Sequence, residues 1–108
     1  MVAKLKQSKT PGNELSPEVL ETAARTLKIL AHPHRLKIIE ILENQPQGIP
    51  VHSLTEVLGI PQTTVSQHLG AMQRVGLLHG SRRSQEVWYT ISDDRALTIL
   101  SCIRGRNR

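Results

Sequence analysis

The sequence predicts a mainly α chain with one small β-hairpin, an α+β domain of five helices and two strands. Three observations predict it. Four successive segments place apolar residues at helical spacing, the period switches to alternation after Gly76, and helical spacing returns after Ser92. At 108 residues and 12.0 kDa this is one small domain. With one Trp, one Tyr and no Phe among 38% hydrophobic residues, its core must be built from Leu, Ile, Val and Ala. A core of that size leaves a lone monomer only marginally stable.

The first helix is expected over 17–30. Ser16 offers an N-cap, Pro17 suits the first helical position and Glu18 favours the positive end of the helix dipole. Leu20, Ala23, Ala24, Leu27, Leu30 and Ala31 then form one apolar stripe. Pro33 opens a second helix, whose Leu36, Ile38, Ile39, Ile41 and Leu42 cover more than half its circumference, so it should be central and buried. It stops before Gln45-Pro46-Gln47-Gly48. Val51, Leu54, Val57 and Leu58 mark a short third helix closed by Gly59. A fourth, over 61–75, carries Val65, Leu69 and Met72 on its inner side and ends at Gly76. Helix, short Gly-containing turn and helix make a helix-turn-helix. Leu77-Leu78-His79 and Glu86 to Ile91 flank a polar apex, Gly80 to Gln85, as a two-stranded hairpin. A last helix, capped by Ser92-Asp93-Asp94, carries Ala96, Leu97, Ile99, Leu100, Cys102 and Ile103. Residues 1–15, with Lys4, Lys6 and Lys9, and residues 104–108, with Arg104, Arg106 and Arg108, read as flexible basic tails around a domain over 16–103.

Fourteen Lys+Arg against nine Asp+Glu give a formal charge of +5. A basic excess on so small a domain favours nucleic acid as partner over an anionic membrane surface, with plain solubility as the bland alternative. No apolar run approaches the roughly 18 residues of a membrane span, and no secretory leader follows Met1, so the cytoplasm is the expected location. The single Cys102 excludes an intrachain disulfide, a four-thiolate zinc site and a redox pair within one subunit.

Unrolled at roughly 100° per residue with Val65, Leu69 and Met72 inward, the fourth helix points Thr63, Gln67, Gly70 and Arg74 outward, with Gln62, Thr64 and Ser66 at its N-terminal end. The face is polar and free of acid. Gln, Thr and Ser offer donors and acceptors to base edges in a major groove, and free amides at a helix start can meet phosphate. A plain solvated face is the competing reading. Arg82 and Arg83 shift the balance, because a hairpin directly after the helix carries two cations to where a flanking phosphate or minor groove would lie.

Over about 24–100 the order of elements and three stretches resemble the ArsR/SmtB family of winged-helix repressors. Leu30-Ala31-His32-Pro33-His34-Arg35-Leu36 is similar to the family's LA-x-P-x-R-L start of the second helix. Pro61-Gln62-Thr63-Thr64-Val65-Ser66-Gln67-His68-Leu69 is similar to its S-Q-S-T-V-S-x-H-L recognition helix. Gly76-Leu77-Leu78, Arg82 and Tyr89-Thr90-Ile91 resemble its wing. The resemblance implies a winged helix-turn-helix fold and a homodimer formed by the first and last helices, on which Leu20, Ala24, Leu27, Leu97, Leu100 and Ile103 are the candidate contacts. It further implies a repressor that holds palindromic double-stranded DNA and is released by an inducer. By position, Gln62, Thr63, Ser66 and Gln67 become groove contacts and Arg82 the wing contact, with Thr64, Arg74 and Arg83 beside them.

The sequence departs from the family at Pro61, where a Ser N-cap is usual, and at Ser84, where the wing turn often has Gly. It also lacks the family's inducer residues. Pro50 and His52 stand where arsenic-type sensors carry Cys-x-Cys. Arg95 stands where zinc-type sensors carry a His, and no histidine follows His79. Glu40 occupies the second-helix cysteine position of the redox sensors. No metal or other cofactor is expected, and the inducer is left unidentified but expected to be other than a metal.

His32 and His34, two apart on a helix, would point about 200° apart, which favours surface or capping roles over chelation. His68, flanking the inner side of the fourth helix, suits a buried hydrogen bond, while His52 and His79 read as isolated and exposed. Cys102 is most simply a small apolar helix residue, with redox reactivity as the minority reading. Two rival functions make different demands on the sequence. A winged-helix module that binds protein would favour an acidic or apolar recognition face, which Gln62 to Arg74 is not. An enzyme would need a catalytic constellation, and none stands out.

Overall fold

The computed structural model describes residues 12–106, and of Arg106 only the backbone. The leader with Lys4, Lys6 and Lys9, and the terminal Asn107 and Arg108, lie outside the described residues. Five helices and a small sheet follow the expected order. Helix α1 (Pro17–Leu30) starts where the Ser16 hydroxyl accepts a hydrogen bond from the Val19 N–H at 3.2 Å. Helix α2 (Pro33–Glu43) is capped by His32, whose Nδ1 accepts from the His34 N–H at 3.1 Å. Ile38 and Ile39 are fully buried, so α2 is the central helix.

His32 is therefore a cap in extended conformation, outside the helix, and the expected 200° separation from His34 does not hold. The two ring centroids lie 5.3 Å apart, with His68 at 4.5 Å from His32 and 5.7 Å from His34.

A short strand that sequence patterning does not reveal comes next. Strand β1 (Ile49–Pro50) pairs with Trp88 and Tyr89, making the sheet three-stranded instead of two-stranded. Gly48 brings the chain across. Its φ is +95°, and a Cβ there would sit 2.9 Å from Thr90 Cγ2 and 3.0 Å from the Tyr89 carbonyl oxygen. Pro50 is tolerated because β1 is an edge strand.

Helix α3 (Val51–Leu58) ends at left-handed Gly59, and helix α4 (Gln62–Arg74) follows after a short turn. Pro61 stands just before α4 and provides no side-chain cap; its carbonyl accepts from the Thr64 and Val65 amides at 3.0 and 3.1 Å. At the other end the Gly76 amide donates to the Gln73 carbonyl and the Leu77 amide to the Met72 carbonyl, both at 3.0 Å. This double bond is the Schellman termination, with Leu77 and Met72 buried together. It turns the chain from α4 directly into the hairpin.

Strands β2 (Leu78–Arg83) and β3 (Glu86–Ile91) are antiparallel, in the sheet order β1-β3-β2. The apex is the two residues Ser84 and Gln85, shorter than the expected Gly80 to Gln85, so Arg82 and Arg83 close β2 instead of crowning a loop. Helix α5 (Arg95–Arg106) continues past Ile103, where a tail was expected, and Arg104 Nη1 donates to Glu43 Oε2 at 2.8 Å, tying α5 to α2. Leu100, read as an interface residue, is 7% exposed and belongs to the protomer's own core with Leu30, Ile38, Leu54, Leu69 and Met72. The buried cluster contains no aromatic ring, as the composition requires.

Candidate nucleic-acid interface

Helix α4 divides as its periodicity dictates. Val65, His68, Leu69, Ala71 and Met72 are buried, while Gln62, Thr63, Ser66, Gln67 and Arg74 are exposed and Thr64 is half-buried. Gly70 keeps the outer face low, its nearest neighbour being the Arg74 guanidinium. With no side chain capping at Pro61, the Gln62 and Thr63 amides lack an intrahelical acceptor and point out of the helix, while the Thr64 amide is held by the Pro61 carbonyl.

The hairpin lies beside this helix end. Gln62 and Ser66 of α4, Val51 and His52 of α3, and Val87 and Tyr89 of β3 line one groove of about 420 Å³. Because Arg82 pairs with Val87 and Gly80 with Tyr89, Arg82 shares the groove-lining face of the hairpin. Gly80 is needed there, since a Cβ would come within 2.9 Å of Tyr89 Cε1. Arg83 alternates to the other face, where its guanidinium lies 4.9 Å from the centre of the Trp88 ring. The two arginines are thus not equivalent.

His52 was read as isolated, yet its Nδ1 meets Glu86 Oε1 at 2.6 Å, joining α3 to the start of β3. The carboxylate's hydrogen bond and charge raise the His52 pKa, because both favour the protonated imidazole beside the Glu86 carboxylate. Thirty-four residues separate the pair, so no local pattern could have revealed it. Groove residues Val87 and Tyr89 were also missed as site residues, although their alternation in β3 places them on one face.

Behind α4, Arg35 Nε donates to His68 Nδ1 at 3.0 Å and Arg35 Nη1 to the Ile29 carbonyl at 3.1 Å, the buried hydrogen bond expected of His68. Burial first, then His32, Arg35 and His34, hold the His68 imidazole below its usual pKa and hence neutral.

On the surface of α1 and α5, Val19, Leu27 and Ile103 are 50%, 54% and 41% exposed. Ala24 is exposed, and Leu20 and Leu97 are half-buried. Ala23, Leu27 and Ile99 line a groove of about 240 Å³ between the two helices. Cys102 is exposed on α5. Among the described residues no helix is long and apolar enough to cross a membrane.

Residues 30–80 match the family of helix-turn-helix domains. The transcriptional repressor PagR of Bacillus anthracis is 37% identical over 84 residues, spanning 78% of this chain and 83% of that protein. The PagR crystal structure superposes with a TM-score of 0.72 at 34% identity, covering 82% of this chain and 99% of that one. The homodimeric winged helix-turn-helix DNA-binding domain of a possible ArsR-family regulator from Mycobacterium bovis superposes with a TM-score of 0.69 at 25% identity, covering 95% and 89%. Relatives of this identity and coverage share the helix-turn-helix and the hairpin beside it, and the chain belongs to the ArsR/SmtB family of winged helix-turn-helix transcriptional regulators.

Proposed function

We propose that the protein is a homodimeric repressor that places α4 of each protomer in the major groove of a palindromic operator and lays the β2–β3 hairpin along the flanking backbone. The observation that carries this reading is the acid-free polar face of α4, next to a hairpin whose Arg82 faces the same groove. Gln62, Thr63, Ser66 and Gln67 meet base edges. The amides at the start of α4, Thr64 beside them, and Arg74 and Arg83 meet phosphate. A protein-binding module is disfavoured, because this face carries neither the acids nor the apolar anchors such a surface needs.

What supports pairing is the exposure of Val19, Leu27 and Ile103 on α1 and α5, beside the groove that Ala23, Leu27 and Ile99 line between these helices. Two recognition helices on a twofold axis require half-sites about 10 base pairs apart. An operator selected from random duplexes supplies the test. On it, Gln67→Ala should relax sequence preference, whereas Arg82→Ala should weaken all duplexes alike and flatten the salt slope by about one unit. If both variants bind selected and random DNA like the parent, the assignment of α4 and the hairpin is wrong.

A further inference from the structure

On the side of α4 turned away from its polar face, His32, His34 and His68 bring one ring nitrogen each to within 4.8 Å of one another. The three come from the cap of α2, its first turn and the inner side of α4, and His68 is 6% exposed. Two nitrogens are already engaged: His32 Nδ1 by the His34 amide and His68 Nδ1 by Arg35. His68 Nε2 is buried without a partner, a state that costs about 1–3 kcal/mol. We propose that this trio is a binding site for a borderline divalent transition metal of the zinc or cobalt type, with three imidazole ligands and water in the fourth position.

The donor set fits that class. Imidazole suits zinc, cobalt and their neighbours, whereas calcium and magnesium demand oxygen ligands. Metal–nitrogen bonds of about 2.0–2.1 Å at tetrahedral angles put ligand nitrogens about 3.4 Å apart. The rings must close by up to roughly 1.4 Å, and His32 and His34, both half-buried, have room to turn. The site is separate from Pro50, His52 and Arg95, the positions weighed from the sequence.

Occupancy has a structural consequence. A neutral imidazole that accepts at Nδ1 carries its proton on Nε2, so ligation through Nε2 moves that proton to Nδ1. There His68 would face the Arg35 Nε–H and His32 the His34 amide, donor against donor. Metal and these two hydrogen bonds exclude one another. Because Arg35 also holds the Ile29 carbonyl of α1, loading the trio loosens a bridge that runs from α1 through α2 to α4.

Titration of the untagged full chain with cobalt(II) tests the proposal by absorption. The expected result is the intense visible band of tetrahedral cobalt, saturating at one ion per chain and abolished by added zinc. The His34→Ala variant removes a side chain that makes no hydrogen bond among the described residues, so it should keep its thermal stability and lose affinity about tenfold or more. His79→Ala, on the hairpin, should bind like the parent. On zinc addition the Arg35 Nε–H and His34 amide resonances should shift together. No tetrahedral band at millimolar cobalt, or a cobalt affinity left unchanged by His34→Ala, would overturn the site; a zinc complex with both resonances unmoved would overturn the exclusion. Neither readout involves DNA, so failure here is distinct from failure of the repressor reading.

Discussion

Ser84 holds a φ of +58° at the first position of the two-residue hairpin turn, and it is the non-glycine residue with positive φ among those described. The left-handed conformation costs an L-residue about 1–2 kcal/mol, and a turn with positive φ at its first central position favours glycine there. Ser84→Gly should therefore raise stability by about 0.5–1 kcal/mol, read from the urea midpoint, the relieved strain outweighing the denatured chain's added freedom. Sequence comparison singled out Ser84 through a residue type, and the backbone supplies the reason. Pro61 is a parallel case: the missing cap was legible, whereas its position just outside the helix was not. His32 divides the two ways: a capping role is among its sequence readings and holds, whereas the 200° separation from His34 assumed that both lie on the helix and fails because His32 stands just outside it.

Single elements explain which parts of the fold could be read and which could not. Helices α1 and α4 followed from periodicity and terminal signals, because an apolar stripe is a repeating local pattern. Strand β1 has two residues and no period, and the Gln45-Pro46-Gln47-Gly48 stretch before it reads only as the stop of α2. The end of α5 was missed because Arg104 gains a partner, Glu43, from a helix 61 residues away. The link between α3 and the hairpin is of the same kind. His52 is raised by Glu86, so the stabilisation from the ion pair is fully present below the unfolded histidine pKa of about 6.5 and is lost as pH rises through the higher folded value. Histidine NMR titration should return His52 above the ordinary value in the parent, and Glu86→Gln should bring it back towards about 6.5.

At the scale of the whole molecule, the interior is accounted for and part of the exterior is not. The core closes around α2 with no aromatic ring, yet Val19, Leu27 and Ile103 remain largely exposed on α1 and α5. Leu27→Glu places a charge at the centre of that strip without touching the core. Desolvating an unpaired carboxylate costs several kcal/mol, so the variant should weaken self-association by about a hundredfold or more in sedimentation equilibrium, with its helix content unchanged. A parent that sediments as a monomer at all concentrations would refute the pairing. The sequence indicated the two helices but spread the contacts too widely, since inward and outward apolar residues of α5 look alike until the core is packed. Leu100 is the residue where that ambiguity was decided.

Trp88 and Tyr89 are the chain's sole aromatic side chains, they are adjacent on β3, and the first lies beneath Arg83. The molecule is therefore optically divided. Intrinsic fluorescence and near-ultraviolet dichroism report β3 and what packs against it, while far-ultraviolet dichroism is dominated by the helices. An ordinary unlabelled sample thus contains a separate gauge for each half of its DNA-facing surface, and any loosening of the hairpin ahead of the helices would appear as two melting curves where a cooperative domain gives one.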